Sequence, residues 1–473
     1  MLHIPALRLG QPYESITKVD ILHHATGQPV ASVSQVNSGV IGRDIRQLAD
    51  DVLEEFSVAE LMEMSRHAAE LFMTASLPLG DTRQSFDDYI KQLSATTGMP
   101  ITYCRYNASK IYNILSQIET VIHGLTRGFD LSILDVGHGS SAGGTLSFFR
   151  DGRVFGAVLP SNSPGVHSLW APAIALKAPV MLKPGREEPW TPYRMIQAFI
   201  EAGVPKEAFG FYPTDHAGAG ELLRQVDRSM LFGGSVTTDP YKDDPRVEVH
   251  GPGFSKVLFG EDTIDDWEKY IDIIAASIAA NGGRSCINAS GVWVPRHSQE
   301  IADALAKKLA TIQALAADDP DAQIAAFANA SVAKQISALI DNELKIDGAK
   351  DITQTHRGQE RLIHLGKCAY LLPTIIHCDD RDHPLSNREF LFPFASVVQC
   401  PVDQMPATIG QTLVATAITD DPIFKKALMT SPLIDRLNIG AIPTYQLSWD
   451  QPHEGNLFEH LYRQRAFQVE SAA

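Results

Sequence analysis

Val180-Met181-Leu182-Lys183-Pro184-Gly185-Arg186-Glu187-Glu188-Pro189-Trp190-Thr191-Pro192 decides the fold. Its first four positions form a short apolar run closed by a lysine, which reads as a buried strand. A loop broken by proline and glycine follows. Thr191 suits a helix N-cap and Pro192 the first turn. Met195, Ile196, Phe199 and Ile200 then form an apolar stripe that Gly203 can end. Further strand-like runs at 154–159, 209–212, 229–232 and 256–259 surround this unit. Short apolar strands separated by helices imply a parallel sheet covered on both faces.

The pattern changes on either side. Residues 1–130 read mainly as helix, from helix-spaced apolar residues over 43–56, 58–75, 86–94 and 109–125. Residues 145–149, a turn at Asp151-Gly152 and 154–159 read as strand, turn, strand. Thr263 and Asp266 suit a helix start, and Trp267, Tyr270, Ile271, Ile274 and Ile278 mark an amphipathic helix. It ends at Asn281-Gly282-Gly283 and leaves Cys286 on a loop before a strand at 291–294. A second α/β lobe follows to residue 440, and the tail from Tyr445 shows no clear element.

Composition bounds the function. A chain of 473 residues predicts two or three lobes, able to bury a large core without disulfide or metal staples. Lys+Arg 40 against Asp+Glu 56 gives a formal charge of −16, which disfavours nucleic-acid binding. The five cysteines are odd in number and scattered, with no CxxC pair. They predict no disulfide framework, no metal site and a reducing, cytoplasmic setting. The N-terminus lacks the pattern of a signal peptide, and no apolar run is long enough to span a membrane.

Four features carry candidate chemistry. Cys286 follows a Gly-rich helix exit, where a thiol can stand in a cleft with Arg284 favouring its thiolate; the same residue also suits a buried, inert site. In Leu159-Pro160-Ser161-Asn162-Ser163-Pro164, an asparagine after a strand can aim its amide above a parallel sheet, although these are also ordinary turn residues. Lys183 and Arg186 at a strand end suit ribose or phosphate, or a solvated loop. Phe232-Gly233-Gly234-Ser235 lets backbone approach a pyrophosphate, a weak signal alone. Neither GxGxxG nor a Walker loop is present.

In this order, the four features resemble the aldehyde dehydrogenase superfamily. Arg388-Glu389-Phe390-Leu391-Phe392-Pro393 resembles the family's later acidic motif, and the likeness runs from about residue 25 to about 460. The resemblance implies a Rossmann-like cofactor domain (1–136 and 154–255), an α/β catalytic domain (256–440), and an oligomerisation hairpin and tail (137–153 and 441–473). It implies NAD or NADP as cofactor, an aldehyde or acyl thioester as substrate, and a homodimer or homotetramer. Cys286 would be the nucleophile forming a thiohemiacetal and then a thioester, with Asn162 and the Cys286 N–H holding the oxyanion. Lys183, Gly234, Ser235, Glu389 and, beside Asn162, Ser161 would bind cofactor.

Three departures qualify this. Arg186 stands where NAD-preferring members carry glutamate, so NADP is expected to be accepted. Glycine alignment puts Val249 at the general-base position, leaving Glu248, His250 or neither as base. The Gly251-Pro252-Gly253 run is similar to that of CoA-acylating members. Leu391 replaces a usual phenylalanine, and Pro452-His453-Glu454-Gly455 matches only loosely. The expected activity is NAD(P)-dependent aldehyde oxidation with Glu248 as base. A CoA-acylating enzyme and a catalytically silent binding protein remain alternatives, the second opposed by the joint presence of Cys286, Asn162, Lys183 and Glu389. Apolar and aromatic residues near Trp170 and Tyr445 hint at a non-ionic substrate and equally suit a core.

Overall fold

A computed structural model describes residues 1–49, 51–141 and 144–468. Val180, Met181 and Leu182 are fully buried, as a central strand requires. Each such side chain contributes on the order of 1.5–3 kcal/mol relative to exposure. The strand Val180–Lys183 lies mid-sheet, flanked in parallel by Phe155–Val158 and Phe209–Phe211. The full order is Val247–His250, Arg228–Phe232, Phe155–Val158, Val180–Lys183, Phe209–Phe211, Ala6–Arg8 and Gln11–Tyr13. Only the two N-terminal strands run antiparallel.

A second seven-stranded sheet has the order Ala349–Asp351, Thr374–Cys378, Phe394–Gln399, Gly291–Val294, Lys256–Phe259, Thr412–Ile418 and Ile434–Ile439. All its pairs are parallel except the one made by Ala349–Asp351. The architecture is therefore the expected mixed α/β one. Among the described residues, no helix is long and apolar enough to cross a membrane.

Several local expectations change. The first 130 residues hold strands as well as helices, including Leu2–Ile4, Lys18–Leu22 and Pro29–Ser34 in a three-stranded sheet. A three-residue strand such as Leu2–Ile4 is below the length at which alternation can be read. Residues 145–149 and 154–159 do not form a hairpin together. Gly144–Arg150 pairs instead with His138–Ser141 on one side and Tyr462–Gln464 on the other, while Phe155–Val158 enters the first large sheet. The expected hairpin includes residues 142 and 143, and the expected tail includes 469–473, which lie outside the described residues. The tail does form elements, a helix Leu457–Leu461 and the strand Tyr462–Gln464.

Two helix starts move for side-chain reasons. The helix after Val180–Lys183 begins at Trp190, because the Glu188 carboxylate accepts the Thr191 N–H at 2.9 Å. Thr191 is thus inside the helix, its hydroxyl bonded to Tyr89. Thr263 donates its hydroxyl to the Ile418 carbonyl instead of capping. A 3-10 segment Ile264–Tyr270 intervenes, and the α-helix runs only over Ile271–Ala279.

Candidate active site

Loops from both large sheets line one cavity. Loops leaving the C-terminal ends of first-sheet strands carry Ser161, Asn162, Gly233 and Gly234. Loops entering second-sheet strands carry Cys286 and Glu389. Between them lies a cavity of about 540 Å³, lined by these six residues among others. A crevice at the carboxyl ends of parallel strands is where α/β sheets bind ligands.

The cysteine loop is set by backbone geometry. Asn281, Gly282 and Gly283 take φ of 54°, 67° and 68°. Asparagine and glycine are the residues that tolerate this left-handed region. Asn288 then closes a turn: its Oδ1 accepts the Ser285 N–H at 2.9 Å, and its own N–H donates to the Ser285 carbonyl. Cys286 stands within that turn, half-buried, while the other four cysteines are buried. Asn107, Asn281 and Ser163 form a closed ring of side-chain hydrogen bonds at 2.8, 3.1 and 3.1 Å, tying the helix Ile101–Ser116 and the Asn162 loop to the cysteine loop. Asn162 Nδ2 donates to the Arg284 carbonyl at 2.8 Å, which leaves it a second N–H.

The carboxylate beside the thiol is one the sequence did not single out. Cys286 Sγ donates to Glu454 Oε1 at 3.1 Å, and Glu454 Oε2 meets His250 Nδ1 at 3.0 Å. Glu248 does not line the cavity. Strand alternation sends its side chain the same way as that of His250, and its Oε1 stops 3.4 Å from His250 Nε2. Glu248, one of the residues expected as a base, thus stands against His250, while Glu454 is the carboxylate that meets the thiol. His250 is also stacked on Phe232, with centroids 4.5 Å apart. The only sequence signal for Glu454 was an isolated glutamate before Gly455, whose φ is +77°.

The charges follow from this array. Burial pushes the Cys286 thiol well up, and the facing Glu454 and Glu389 carboxylates push the same way. Arg284, expected to favour a thiolate, faces Cys104 and Glu187 instead and hydrogen-bonds the Thr97 carbonyl. Burial alone would raise Glu454, but the His250 hydrogen bond and the neighbouring histidines hold it below the usual carboxylate range. Burial would lower His250; Glu454, with Glu248 behind, outweighs it and raises the imidazole above its ordinary value. Glu389 is pushed up to about 7 by burial, although it accepts the Phe254 N–H at 2.6 Å.

The remaining expected ligand residues are placed as follows. Lys183 is half-buried at its strand end, and burial lowers its ammonium below the ordinary range. Arg186 and Ser235 are exposed. None of these three lines the cavity. A Cβ on Gly185 would lie 2.4 Å from the Pro160 carbonyl and the Ser161 hydroxyl, so the two loops touch through that glycine. A Cβ on Gly234 would meet nothing within 4 Å. Backbone at this turn is open to a ligand, so the residues present fit a dinucleotide laid from Gly234 toward Glu389. Trp170 is fully buried and bonds His167, a core role.

Residues 12–405 match the family model described as the aldehyde dehydrogenase family. The chain belongs to that family. Its members are oxidoreductases acting on aldehydes with NAD or NADP, and this general activity is that of the chain. A betaine aldehyde dehydrogenase of Vibrio vulnificus (strain CMCP6) is 24% identical over 417 residues, covering 82% of this chain and 79% of that protein. The fold is similar to the NAD+ complex of an aldehyde dehydrogenase from Bacillus cereus (TM-score 0.78, 16% identity, 99% of this chain and 97% of that one). An aldehyde dehydrogenase from Brucella melitensis biovar abortus 2308 gives a TM-score of 0.76 at 16% identity, covering 99% of this chain and 98% of that one.

Proposed function

We propose that Cys286 attacks the aldehyde carbonyl while Glu454 accepts its proton, and that water releases the product acid. The observation that carries this is the 3.1 Å contact between Cys286 Sγ and Glu454 Oε1. The thiol is held protonated and the carboxylate ionised. Proton transfer ahead of attack is therefore uphill, and the proton leaves as the carbon–sulfur bond forms. The free N–H of Asn162 and the Cys286 N–H receive the developing oxyanion, where one donor is worth about 3–4 kcal/mol.

NAD or NADP, when bound, supplies the hydride acceptor that turns the thiohemiacetal into a thioester. Gly234 and Ser235 would sit at its pyrophosphate, Lys183 and Arg186 at its adenosine ribose, and Glu389 and Ser161 nearer the thiol. Once Glu454 has passed the thiol proton to solvent, its carboxylate again stands beside the Cys286 sulfur and can polarise a water there. This supports hydrolysis over transfer to CoA, with Glu454 doing from the tail what Glu248 was expected to do. His250 acts as a positioning residue that orients Glu454. Among the described residues, the sheet of Tyr462–Gln464, Gly144–Arg150 and His138–Ser141 leaves the His138–Ser141 edge unpaired, which supports a homo-oligomer.

The test is absorbance at 340 nm with a panel of aldehydes, NAD or NADP, and with or without CoA. Reduction without CoA that vanishes in Cys286→Ala is the expected result. Reduction that requires CoA overturns the hydrolytic step, and turnover retained in Cys286→Ala overturns the nucleophile. Sedimentation equilibrium tests assembly; a monomer at micromolar concentration overturns the oligomer.

A further inference from the structure

A second cavity, of about 530 Å³, is lined by Glu454, whose Oε1 accepts from the Cys286 thiol. Leu169, Leu447, Trp449 and Leu457 give it apolar walls, and Arg436 and Glu454 lie in it. An adjoining recess of about 260 Å³ shares Leu447 and Trp449 with it and contains Lys110.

Two cations here lack counter-ions. Arg436 is held by the His453 ring nitrogen at 2.9 Å and by the Thr444 carbonyl. Its Nε is sealed from solvent with no acceptor. Among the described residues no carboxylate oxygen lies within 4.0 Å of it. Arg361, by contrast, meets Asp351 and Asp341, each at 2.9 Å. Lys110 Nζ stands 5.2 Å from the Tyr106 ring centroid and likewise has no carboxylate within 4.0 Å among the described residues. Burial lowers its ammonium to about 8, with the Glu454 carboxylate among the groups opposing the fall. Lys177 shows the paired case, 2.7 Å from Asp135.

Glu454 and Asp435 line the same cavity, and Glu454 acts on both cations through space, but among the described residues neither acid comes within 4.0 Å of Arg436 or Lys110. Glu454 is turned to Cys286 and His250, and Asp435 is exposed. Burying a cation without a partner is costly, and a ligand anion would remove that cost.

We propose that this second cavity admits an aldehyde bearing a carboxylate at its far end, the apolar walls holding its methylene chain and Arg436 with Lys110 pairing the carboxylate. The aldehyde end would then point to Cys286, past Glu454. This rests on the assignment of Cys286 as nucleophile, and it replaces the non-ionic substrate suggested by Trp170 and Tyr445.

The test compares an ω-oxo carboxylate with the neutral alkanal of equal chain length. Wild-type protein should prefer the charged aldehyde by about 10²-fold in kcat/KM, the range of a desolvated charge pair. Lys110→Met and Arg436→Gln should each cut that preference by about 10-fold or more, chiefly through KM. Lys110→Arg should restore most of it. Equal turnover of the two aldehydes by wild type, or losses shared equally by both in the variants, overturns the proposal. If no aldehyde is turned over, the nucleophile assignment fails separately. Calorimetric binding of the matching dicarboxylate to Cys286→Ser protein then decides: binding lost in Lys110→Met supports the anion site, and no binding overturns it.

Discussion

The contact between Cys286 and Glu454 joins two residues 168 positions apart, and most of the proposed chemistry depends on it. Glu454→Gln keeps the shape but removes the proton acceptor; kcat should fall about 10²-fold or more while cofactor binding is retained. A kcat within a factor of two of wild type would show that Glu454 is not the base. His250 carries a signed pH prediction. Its folded value is raised above 6.5 by Glu454. The stability this pair contributes is fully present below pH 6.5 and is lost as pH rises through the folded value. His250→Asn should therefore lower Tm more at pH 6 than at pH 9, as differential scanning fluorimetry would show; an equal loss at both would mean that His250 acts only by packing. Arg186 is exposed and free to meet a 2′-phosphate. Arg186→Glu should shift the ratio of kcat/KM values from NADP towards NAD, and an unchanged ratio would remove Arg186 from cofactor choice.

At the scale of elements, the strands and the loops behave differently. Gly253 packs so closely on the cysteine loop that a Cβ there would lie 2.1 Å from the Cys286 carbonyl oxygen. Gly253→Ala should displace the nucleophile, cutting kcat by about 10-fold or more with only a small change in Tm; a parallel loss of both would mark a purely structural glycine. Strands such as Val180–Lys183 were legible because a buried parallel strand is an unbroken apolar run. The loops carrying Asn162 and Cys286 were legible because each follows or precedes such a run. The three-residue strands Leu2–Ile4, Ala6–Arg8 and Gln11–Tyr13 were not, since three residues show no period. The start at Trp190 was missed because Glu188, not Thr191, takes the Thr191 N–H, and the start at Ile271 because Thr263 gives its hydroxyl to the distant Ile418 carbonyl, a partner that local sequence does not reveal. Glu454 was missed for the same reason at longer range: its neighbours are distant strands, and nothing in Pro452-His453-Glu454-Gly455 announces them.

Across the whole molecule, the tail couples packing to chemistry. Phe458 is buried among Phe129, Phe148 and Tyr462, with ring centroids 5.1–5.4 Å away. Phe458→Ala should cost about 3–5 kcal/mol of stability, the usual price of emptying such a site. It should also lower kcat, because the helix Leu457–Leu461 begins three residues after Glu454. A destabilised protein with full kcat would separate the two effects. The pairing of Tyr462–Gln464 with Gly144–Arg150 has a consequence in time. Both large sheets are synthesised before residue 454 leaves the ribosome. A nascent chain can thus bury its core and close the loop around Cys286 while the thiol still lacks its proton acceptor. On that reading the thiol would gain its proton acceptor only when Tyr462–Gln464 docks, and a chain cut before residue 454 would lose both the acceptor and the part of the core that Leu457, Phe458, Leu461 and Tyr462 supply.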